Sequence, residues 1–390
     1  MSINNVNKIR LKWILTLIIL AFLFIFIDRY LNKIAFPAND YETFCRDKLT
    51  LYSYCKDKTH IRDISKEKLK QNIIKKNINS EGISIHKSLN FKVSEADIII
   101  MGDSFIEADE VNQNKTIGYL LNKYKKTVEI GYRSWNSYQY NKLFEKYKFK
   151  ENATFFIFLF TNDFAPNYEF SFLNVKKDLK NFDDLYKKEK IKKKKIIYKI
   201  KEKFFYKSFT YNAIRKLFIN KKNNLAQVSS DKKLDIKLLE GDFKNCNINV
   251  NKNDVDLVLY DYIIFSKSYN CWPKKYLTYV NSGINSLKEL KNNLKENQQV
   301  KFFFISPGWS FKNENTIGKT LHPYNLSMNS IISQKGLSDY LDTHLGIIDT
   351  ANIIKQVKKE TLNKYYLPID GHWNENSHYL IFKWIEKNLI

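Results

Sequence analysis

Short apolar segments alternate with amphipathic segments through much of the chain, and this pattern predicts strands that alternate with helices. Five apolar segments are predicted to be buried strands, at residues 96–101, 127–130, 154–160, 301–305 and 345–348. Helical periodicity is clearest at residues 117–124, 138–147 and 375–389. Strands joined through helices form a parallel sheet that is covered on both faces. The pattern therefore predicts an α/β fold, a three-layer α/β/α sandwich around a central parallel sheet of about five strands.

The amino-terminal apolar segment, residues 13–27, is an uninterrupted run without a polar face. A helix that spans a membrane needs about 20 apolar residues, so the run depends on its flanks to reach that length. Trp13 and Tyr30 lie where aromatic side chains meet the membrane interface. We therefore expect an N-terminal transmembrane helix within residues 1–35.

The charges around this helix predict its orientation. Three basic residues precede the apolar run: Lys8, Arg10 and Lys12. Positive charge is retained on the cytoplasmic side, so the remainder of the chain is expected outside the cytoplasm. A cleaved signal peptide is the alternative, since the run also has the length of a signal sequence. Residues 31–40 lack a small-x-small cleavage site, which favours an uncleaved signal anchor.

The four cysteines of the chain all follow the anchor: Cys45, Cys55, Cys246 and Cys271. Three pairings are possible, and the local ones, Cys45 with Cys55 and Cys246 with Cys271, are the simplest. Disulfides persist in oxidising compartments, which agrees with the expected topology. Unpaired buried thiols are the alternative. No metal or other cofactor is expected, because the paired C-x-x-C spacing of zinc sites is absent.

The chain is strongly basic, with 65 Lys and Arg residues against 41 Asp and Glu residues and a formal charge of +24. Clustered Lys can bind nucleic acid, but no nucleic-acid motif accompanies the charge and the topology directs the chain outward. No nucleic-acid partner is therefore expected. An anionic lipid surface or an acidic glycan is a better candidate partner, and a solvated basic surface is the plain alternative.

The composition changes along the chain divide it into an anchor at residues 1–35, a polar juxtamembrane segment at 36–92 and a domain at 93–390. One or two short helices are expected in the juxtamembrane segment. The domain carries a largely helical insertion at residues 174–297. Within it, a Lys-rich stretch at residues 192–204 has apolar residues spaced three and four apart, which predicts a basic amphipathic helix. This helix can dock on the domain surface or lie on an anionic membrane.

Two polar motifs lie at the ends of predicted elements and carry residue types that favour nucleophilic catalysis. Gly102-Asp103-Ser104-Phe105 comes directly after the first strand, and Asp370-Gly371-His372 directly precedes the last helix. A serine attacks an ester only when a base takes its proton, and the base needs a carboxylate to orient it. The carboxyl ends of parallel strands meet at one edge of the sheet, so the two motifs are expected to lie together.

Further candidates follow the other strands. Asn162, after the third strand, can donate from its amide to a developing oxyanion. The loop at residues 131–137, after the second strand, can offer a backbone N–H. Three tryptophans fall on predicted loops at the same edge and can stack on sugar rings or pack in the core: Trp135, Trp309 and Trp373.

These segments together resemble the SGNH/GDSL hydrolase superfamily, over about residues 97–167 and 301–390. The resemblance implies a flavodoxin-like SGNH fold, with Ser104 as nucleophile, His372 as base and Asp370 as the residue that orients the base. It also implies an oxyanion hole formed by the Ser104 N–H, the Asn162 amide and a backbone N–H from the loop after the second strand.

The chain departs from the family pattern in two motifs. Glu129 stands where the second family block has Asn, and Ser134 stands where it has its second Gly, so both Gly131 and Ser134 are candidate oxyanion donors. The last motif is D-x-H in place of the commoner D-x-x-H, and D-G-H-W-N is similar to the motif of periplasmic sugar O-acetyltransferases. The chain looks most like membrane-anchored bacterial members that are associated with surface polysaccharides.

The resemblance implies an esterase or acyltransferase that moves a small acyl group, most simply acetyl, on a glycan outside the cytoplasm. It implies a single-pass protein of the bacterial inner membrane whose domain faces the periplasm, with membrane proteins of a polysaccharide pathway as partners. Two alternatives stay open: a non-catalytic module that binds a glycan or a partner in the same cleft, and a lipase or phospholipase.

Overall fold

The computed structural model describes the following residues: 3–35, 43–64, 73–89, 91–166, 171–185, 187–188, 208–214, 257–305, 334–355, 365–367 and 371–390. The chain divides into two compact units. One unit comprises Met1–Tyr41 and Asp183–Lys232, and the other comprises Glu42–Phe182 and Lys233–Ile390. The Lys-rich stretch at 192–204 lies outside the described residues.

The first unit contains the amino-terminal helix α1, Ile3–Ala35. Within it, the segment Trp13–Leu31 has a mean hydropathy of 2.3, and none of it is buried. At a rise of about 1.5 Å per residue, its 19 residues extend over about 28 Å, close to the thickness of a bilayer core. The predicted apolar helix is therefore confirmed. Its length and composition fit a membrane anchor or a signal sequence.

The second unit begins with two antiparallel hairpins, which we call the N-terminal ribbons. The first pairs β1 (Phe44–Asp47) with β2 (Leu51–Tyr54), and the second pairs β3 (Thr59–Asp63) with β4 (Ile73–Asn77). The short helices expected here were wrong for the described residues, which form strands at these positions. The reason is tertiary: Tyr54 and other apolar ribbon residues are buried against the core of the domain, which favours strands.

A five-stranded parallel sheet forms the centre of this unit. Its strands are β5 (Ile98–Gly102), β6 (Thr127–Gly131), β7 (Thr154–Leu159), β8 (Gln299–Phe304) and β9 (Ile347–Asp349). The strand order is β6-β5-β7-β8-β9, and each neighbouring pair is parallel. This is the order of flavodoxin-like sheets. The chain adds β6 on one side of β5 and then β7, β8 and β9 on the other side, so the order of the strands reverses between β5 and β7. The predicted fold class is confirmed.

Helices cover the sheet. They are α2 (Ser104–Glu107), α3 (Ile117–Leu121), α4 (Ser137–Lys146), α5 (Phe172–Lys180), α6 (Leu257–Ser266), α7 (Lys274–Asn292), α8 (Lys335–Leu345), α9 (Thr350–Lys355) and α10 (Glu375–Leu389). Right-handed crossovers place α4, α7 and α8 on one face and α3 on the other. In agreement, α4 packs against α7, and α10 packs against α3. Helices α6 and α7 lie within residues 174–297.

The last strand begins two residues later than the sequence pattern predicts. Leu345 ends α8, and Gly346 follows with φ 67°, a left-handed conformation that terminates the helix. The chain is therefore free to extend only from Ile347.

At the centre of the sheet, β7 and β8 bring phenylalanines together, and the rings of Phe158 and Phe303 stack at 4.5 Å.

Candidate active site

The candidate nucleophile lies at a close junction between β5 and α2. The strand ends at Gly102 and the helix begins at Ser104. A Cβ on Gly102 would lie 2.4 Å from Cγ1 of Ile106, and a Cβ on Gly131 would lie 2.3 Å from the backbone nitrogen of Glu107. Only glycine permits this approach, so the two strand ends hold the helix, and with it Ser104, at the carboxyl edge of the sheet.

His372 contacts this serine. Its Nε2 lies 2.7 Å from the Oγ of Ser104. The imidazole also packs beside the ring of Phe105, at 4.7 Å between centroids. The two residues are 268 positions apart in the chain, and the parallel sheet brings them together as the sequence predicts. Asp370, the expected orienting carboxylate, lies outside the described residues.

The loop that carries His372 is closed by backbone hydrogen bonds. The Leu367 N–H donates to the His372 carbonyl over 2.8 Å, and the Asn374 N–H donates to the Tyr365 carbonyl over 3.0 Å. The Asn374 side chain then caps the first turn of α10 by accepting from the Asn376 N–H over 2.9 Å. These bonds fix the backbone on both sides of His372, so the position of the imidazole is set by the start of α10.

Asp103 is fully buried and accepts hydrogen bonds from three groups around Ser104. Its Oδ1 accepts from the Phe105 N–H over 3.0 Å. Its Oδ2 accepts from the Asn162 Nδ2 over 2.9 Å and from the Ser104 hydroxyl at the long distance of 3.4 Å. Burial raises the pKa of Asp103, and the hydrogen bond from the Phe105 N–H opposes this only in part. Asp103 thus ties the strand ends of β5 and β7 together.

The two candidate backbone donors from the loop after β6 lie in different surroundings. Gly131 is the last residue of β6, where its lack of a side chain admits α2. Ser134 lies in the following turn with φ 62°. Within the described part of the chain, the N–H groups of Ser104 and Ser134 have no hydrogen-bond acceptor. These two donors are therefore available to a ligand, as is the second Nδ2 proton of Asn162.

Two of the three candidate tryptophans are buried in the core. Trp135 and Trp373 are each 1% exposed. The ring of Trp135 packs against Tyr132 at 4.2 Å, and that of Trp373 packs against Phe105 at 5.5 Å. Of the two alternatives for these side chains, packing in the core is therefore the one that the structure shows for Trp135 and Trp373. Trp309 lies outside the described residues.

Each of the three cysteines among the described residues is in a disulfide. Cys45 is bonded to Cys55, so the expected local pairing closes the first of the N-terminal ribbons. Cys271 is also disulfide-bonded. Cys246, its expected partner, lies outside the described residues.

Two sets of residues near the site were missed from the sequence. The first is Asp103, whose place directly before a helix marks it as an N-cap and could have revealed its bond to the Phe105 N–H. The second is a buried ionic cluster of Glu107, Asp109 and Arg133 with partners on the N-terminal ribbons. No local sequence pattern predicts this cluster, because its members come from three distant segments of the chain.

The fold and the site define an α/β sandwich that presents a serine–histidine pair at the carboxyl edge of a parallel sheet. No protein-family model and no curated protein sequence matches the chain. Among solved structures, it is similar to the crystal structure of a member of the lipolytic protein G-D-S-L family from Veillonella parvula DSM 2008. The two share 9% sequence identity with a TM-score of 0.32, over 75% of this chain and 97% of that chain.

Proposed function

We propose that this protein is a serine-dependent esterase or acyltransferase that acts on a small acyl group through an acyl-enzyme on Ser104. The observation that supports the proposal is the 2.7 Å contact between Ser104 Oγ and His372 Nε2 at the carboxyl edge of the sheet. A nucleophile and a base within hydrogen-bond reach, each held by a fixed backbone, are the minimum that acyl transfer requires.

In the proposed reaction, His372 accepts the hydroxyl proton while Ser104 Oγ attacks the acyl carbonyl. Asp370 is the proposed partner that orients the imidazole. The N–H groups of Ser104 and Ser134 and the Asn162 amide donate to the oxyanion of the tetrahedral intermediate. We prefer Ser134 to Gly131 because Gly131 is paired with Gly102 between β5 and β6, whereas the N–H of Ser134 has no acceptor among the described residues.

The second half of the reaction resolves the acyl-enzyme. As the acyl-enzyme forms, His372 gives its proton to the leaving alcohol. In the second half it takes a proton from the hydroxyl group that attacks the acyl-enzyme, and returns it to Ser104 Oγ as the bond between this oxygen and the acyl group breaks. Water as that group makes the protein an esterase, and a sugar hydroxyl makes it an acyltransferase. The buried ring of Phe105 packs against His372, and the rings of Phe160 and Trp373 pack against Phe105 in turn. The proposed acyl group is a small one, most simply acetyl.

The proposed substrate is an acetylated glycan outside the cytoplasm. Helix α1 is long enough to cross a membrane, and the disulfide between Cys45 and Cys55 is typical of an oxidising compartment. Together these features support a single-pass protein of the bacterial inner membrane with its domain in the periplasm. Membrane proteins of a polysaccharide pathway are its proposed partners.

The proposed activity is tested with the full-length protein in detergent and a 4-nitrophenyl acetate substrate. We expect Ser104→Ala to reduce turnover to background, while Ser88→Ala, which alters an exposed serine, leaves it unchanged. Wild-type turnover by Ser104→Ala would reject the proposal. Hydrolysis that rises steeply with acyl chain length would instead favour a lipid ester as substrate.

Esterase and transferase are separated in the cell. Cell-surface polysaccharide is analysed by mass spectrometry with and without the gene. A gain of acetyl groups on deletion indicates an esterase, and a loss indicates a transferase. Unchanged acetylation in both polysaccharide and cell wall would count against a glycan substrate.

A further inference from the structure

A cluster of buried charges lies behind the candidate nucleophile and has no part in the chemistry proposed above. The side chains of Glu107 and Asp109 are 1% and 3% exposed, respectively. Buried carboxylates are stable only when they are paired and hydrogen-bonded. Their shared cation is Arg133, which belongs to the turn that also carries Ser134.

Arg133 is held through both its backbone and its side chain. Its N–H donates to Glu107 Oε2 over 3.0 Å. Its Nη2 donates to Glu107 Oε1 over 3.3 Å and to Asp109 Oδ2. Since Glu107 is the last residue of α2, the helix that begins at Ser104, these bonds connect the nucleophile helix to the turn after β6.

The N-terminal ribbons complete the cluster. The Tyr54 hydroxyl donates to Glu107 Oε1 over 2.6 Å. His60 Nε2 lies 2.6 Å from Asp109 Oδ1, and Lys76 Nζ donates to the Ala108 carbonyl over 2.5 Å, just beyond the end of α2. Each ribbon therefore binds either the nucleophile helix or the residues that directly follow it.

The first ribbon also binds Arg133 itself. The Tyr52 hydroxyl donates to the Arg133 carbonyl, and the guanidinium carbon lies 5.0 Å from the centre of the Phe44 ring. The N–H, the carbonyl and the guanidinium of this one residue are thus all engaged. Such a residue has little freedom, and the turn that contains it is fixed relative to α2.

The charges of the cluster support this arrangement. Burial and the neighbouring charge of Asp109 raise the pKa of Glu107, while the charge of Arg133 opposes the rise. Burial also acts to raise the pKa of Asp109, but the hydrogen bond with His60 and the charges of Lys76 and Arg133 outweigh it and lower that pKa. Without Arg133, two buried carboxylates that share the Tyr54 hydroxyl would lose the cation that forms ion pairs with both of them, and the charge of Lys76 would remain.

We propose that Arg133 is a positioning residue: held by Glu107, Asp109 and the first N-terminal ribbon, it fixes the turn that presents the Ser134 N–H to the oxyanion. The N-terminal ribbons are then a structural part of the active site, not a spacer between the domain and the membrane. This inference rests on the proposed function, because it assigns a role in the same reaction.

The test compares Arg133→Met and Arg133→Lys with Lys146→Met in the full-length protein. Lys146 is the matched control, because its Nζ binds Asp47 over 2.6 Å. It therefore contacts the same ribbon as Arg133 does, but at a different residue. With 4-nitrophenyl acetate, we expect Arg133→Met to lower kcat on the order of 10- to 100-fold, since small misplacements of an active-site group have effects of this size. KM is expected to change little.

Arg133→Lys keeps the positive charge but lacks the planar fork that binds both carboxylates. We expect Arg133→Lys also to lower kcat. Because it keeps the charge, it serves as the folded variant if Arg133→Met fails to fold. Lys146→Met is expected to keep wild-type kcat. A second readout is inhibition by phenylboronic acid, whose tetrahedral adduct on Ser104 mimics the oxyanion intermediate.

Boronate inhibition separates positioning from loss of folded protein. A displaced oxyanion donor raises the inhibition constant by about the factor by which kcat/KM falls. A smaller folded fraction lowers apparent kcat but leaves both KM and the inhibition constant unchanged, and that result would overturn the inference. So would equal losses of kcat in Lys146→Met and both Arg133 variants, or a raised KM at unchanged kcat.

The outcome for Ser104→Ala distinguishes the two proposals. If Ser104→Ala retains turnover, the proposed function fails whatever Arg133 does. If Ser104→Ala is inactive while the Arg133 variants behave as Lys146→Met, only the positioning role is rejected.

Discussion

The Asn162 side-chain amide donates a hydrogen bond from Nδ2 to Oδ2 of Asp103 over 2.9 Å. This bond joins the loop after β7 to the residue directly before the candidate nucleophile. It uses one of the two Nδ2 protons of Asn162 and orients the other. The orientation of this proposed oxyanion donor is therefore set by a buried carboxylate that touches no substrate atom in the proposed reaction.

Asp103→Asn tests this relationship. An asparagine offers one acceptor oxygen and one NH₂ group, whereas the three groups around Asp103 are all donors. At least one donor is left facing another donor, so we expect kcat for 4-nitrophenyl acetate to fall on the order of 10- to 100-fold. Asp97→Asn, before the opposite end of β5, is the control and is expected to keep kcat. Full activity of Asp103→Asn would show that Asp103 does not orient the site.

Gly131→Ala tests the close approach of α2 to the sheet. The added Cβ would lie 2.3 Å from the Glu107 nitrogen and 2.5 Å from the Ile106 carbonyl carbon, both of them backbone atoms. Helix α2 must move away to make room. We expect a loss of about 1–3 kcal/mol in the free energy of unfolding, together with a clear fall in kcat.

The matched control for this change is Gly346→Ala. A Cβ there meets nothing within 4 Å, and the cost arises from its φ of 67° alone. We expect about 1–2 kcal/mol of destabilisation with kcat unchanged. Thermal unfolding in detergent and kcat measured on the same samples decide the matter. Equal effects on kcat in the two variants would contradict the packing argument.

His378→Leu tests the effect of a buried histidine on acid stability. Burial lowers the pKa of His378 from 6.5 to about 3, and neither ring nitrogen has a hydrogen-bond partner among the described residues. Below pH 6.5 the unfolded chain binds a proton at this position that the folded chain does not. Folding stability is therefore lost as the pH falls from 6.5 towards 3, by about 1.4 kcal/mol per pH unit.

Leucine cannot take up this proton. Between pH 7 and pH 4.5, we expect the thermal midpoint of His378→Leu to fall less than the midpoint of the wild type. At pH 7, we expect the midpoint of His378→Leu to equal or exceed that of the wild type. Parallel midpoint curves for the two proteins would mean that His378 is protonated in the folded state.

The sheet and the serine–histidine pair could be predicted because their signals are local. Apolar segments marked each strand of the sheet, and the predicted limits of α10, residues 375–389, match Glu375–Leu389. Asn374 caps that helix, and a cap followed by apolar residues at helical spacing is a strong signal. The rule that parallel strands end at one edge then brought Ser104 to His372.

The N-terminal ribbons and the burial of Trp135 and Trp373 could not be predicted in this way. Each depends on partners that are distant in sequence: Tyr54 and Glu107, for example, are 53 positions apart. The ribbon strands have only four or five residues, too few to show a clear alternation of apolar and polar positions. The two tryptophans lie in loops at the carboxyl edge of the sheet, but contacts with the core decide whether such a residue faces a cleft.

The central claim is that Ser104 carries the acyl group, and acid quenching of the full-length protein mixed with 4-nitrophenyl acetate tests it most directly. We expect peptide mass spectrometry to find one added acetyl group on the peptide that contains Ser104. The acetyl group should be absent from Ser104→Ala and should form far more slowly in His372→Ala, which lacks the base. Acetylation at another residue that persists in Ser104→Ala together with full turnover would contradict the assignment of Ser104 as the nucleophile.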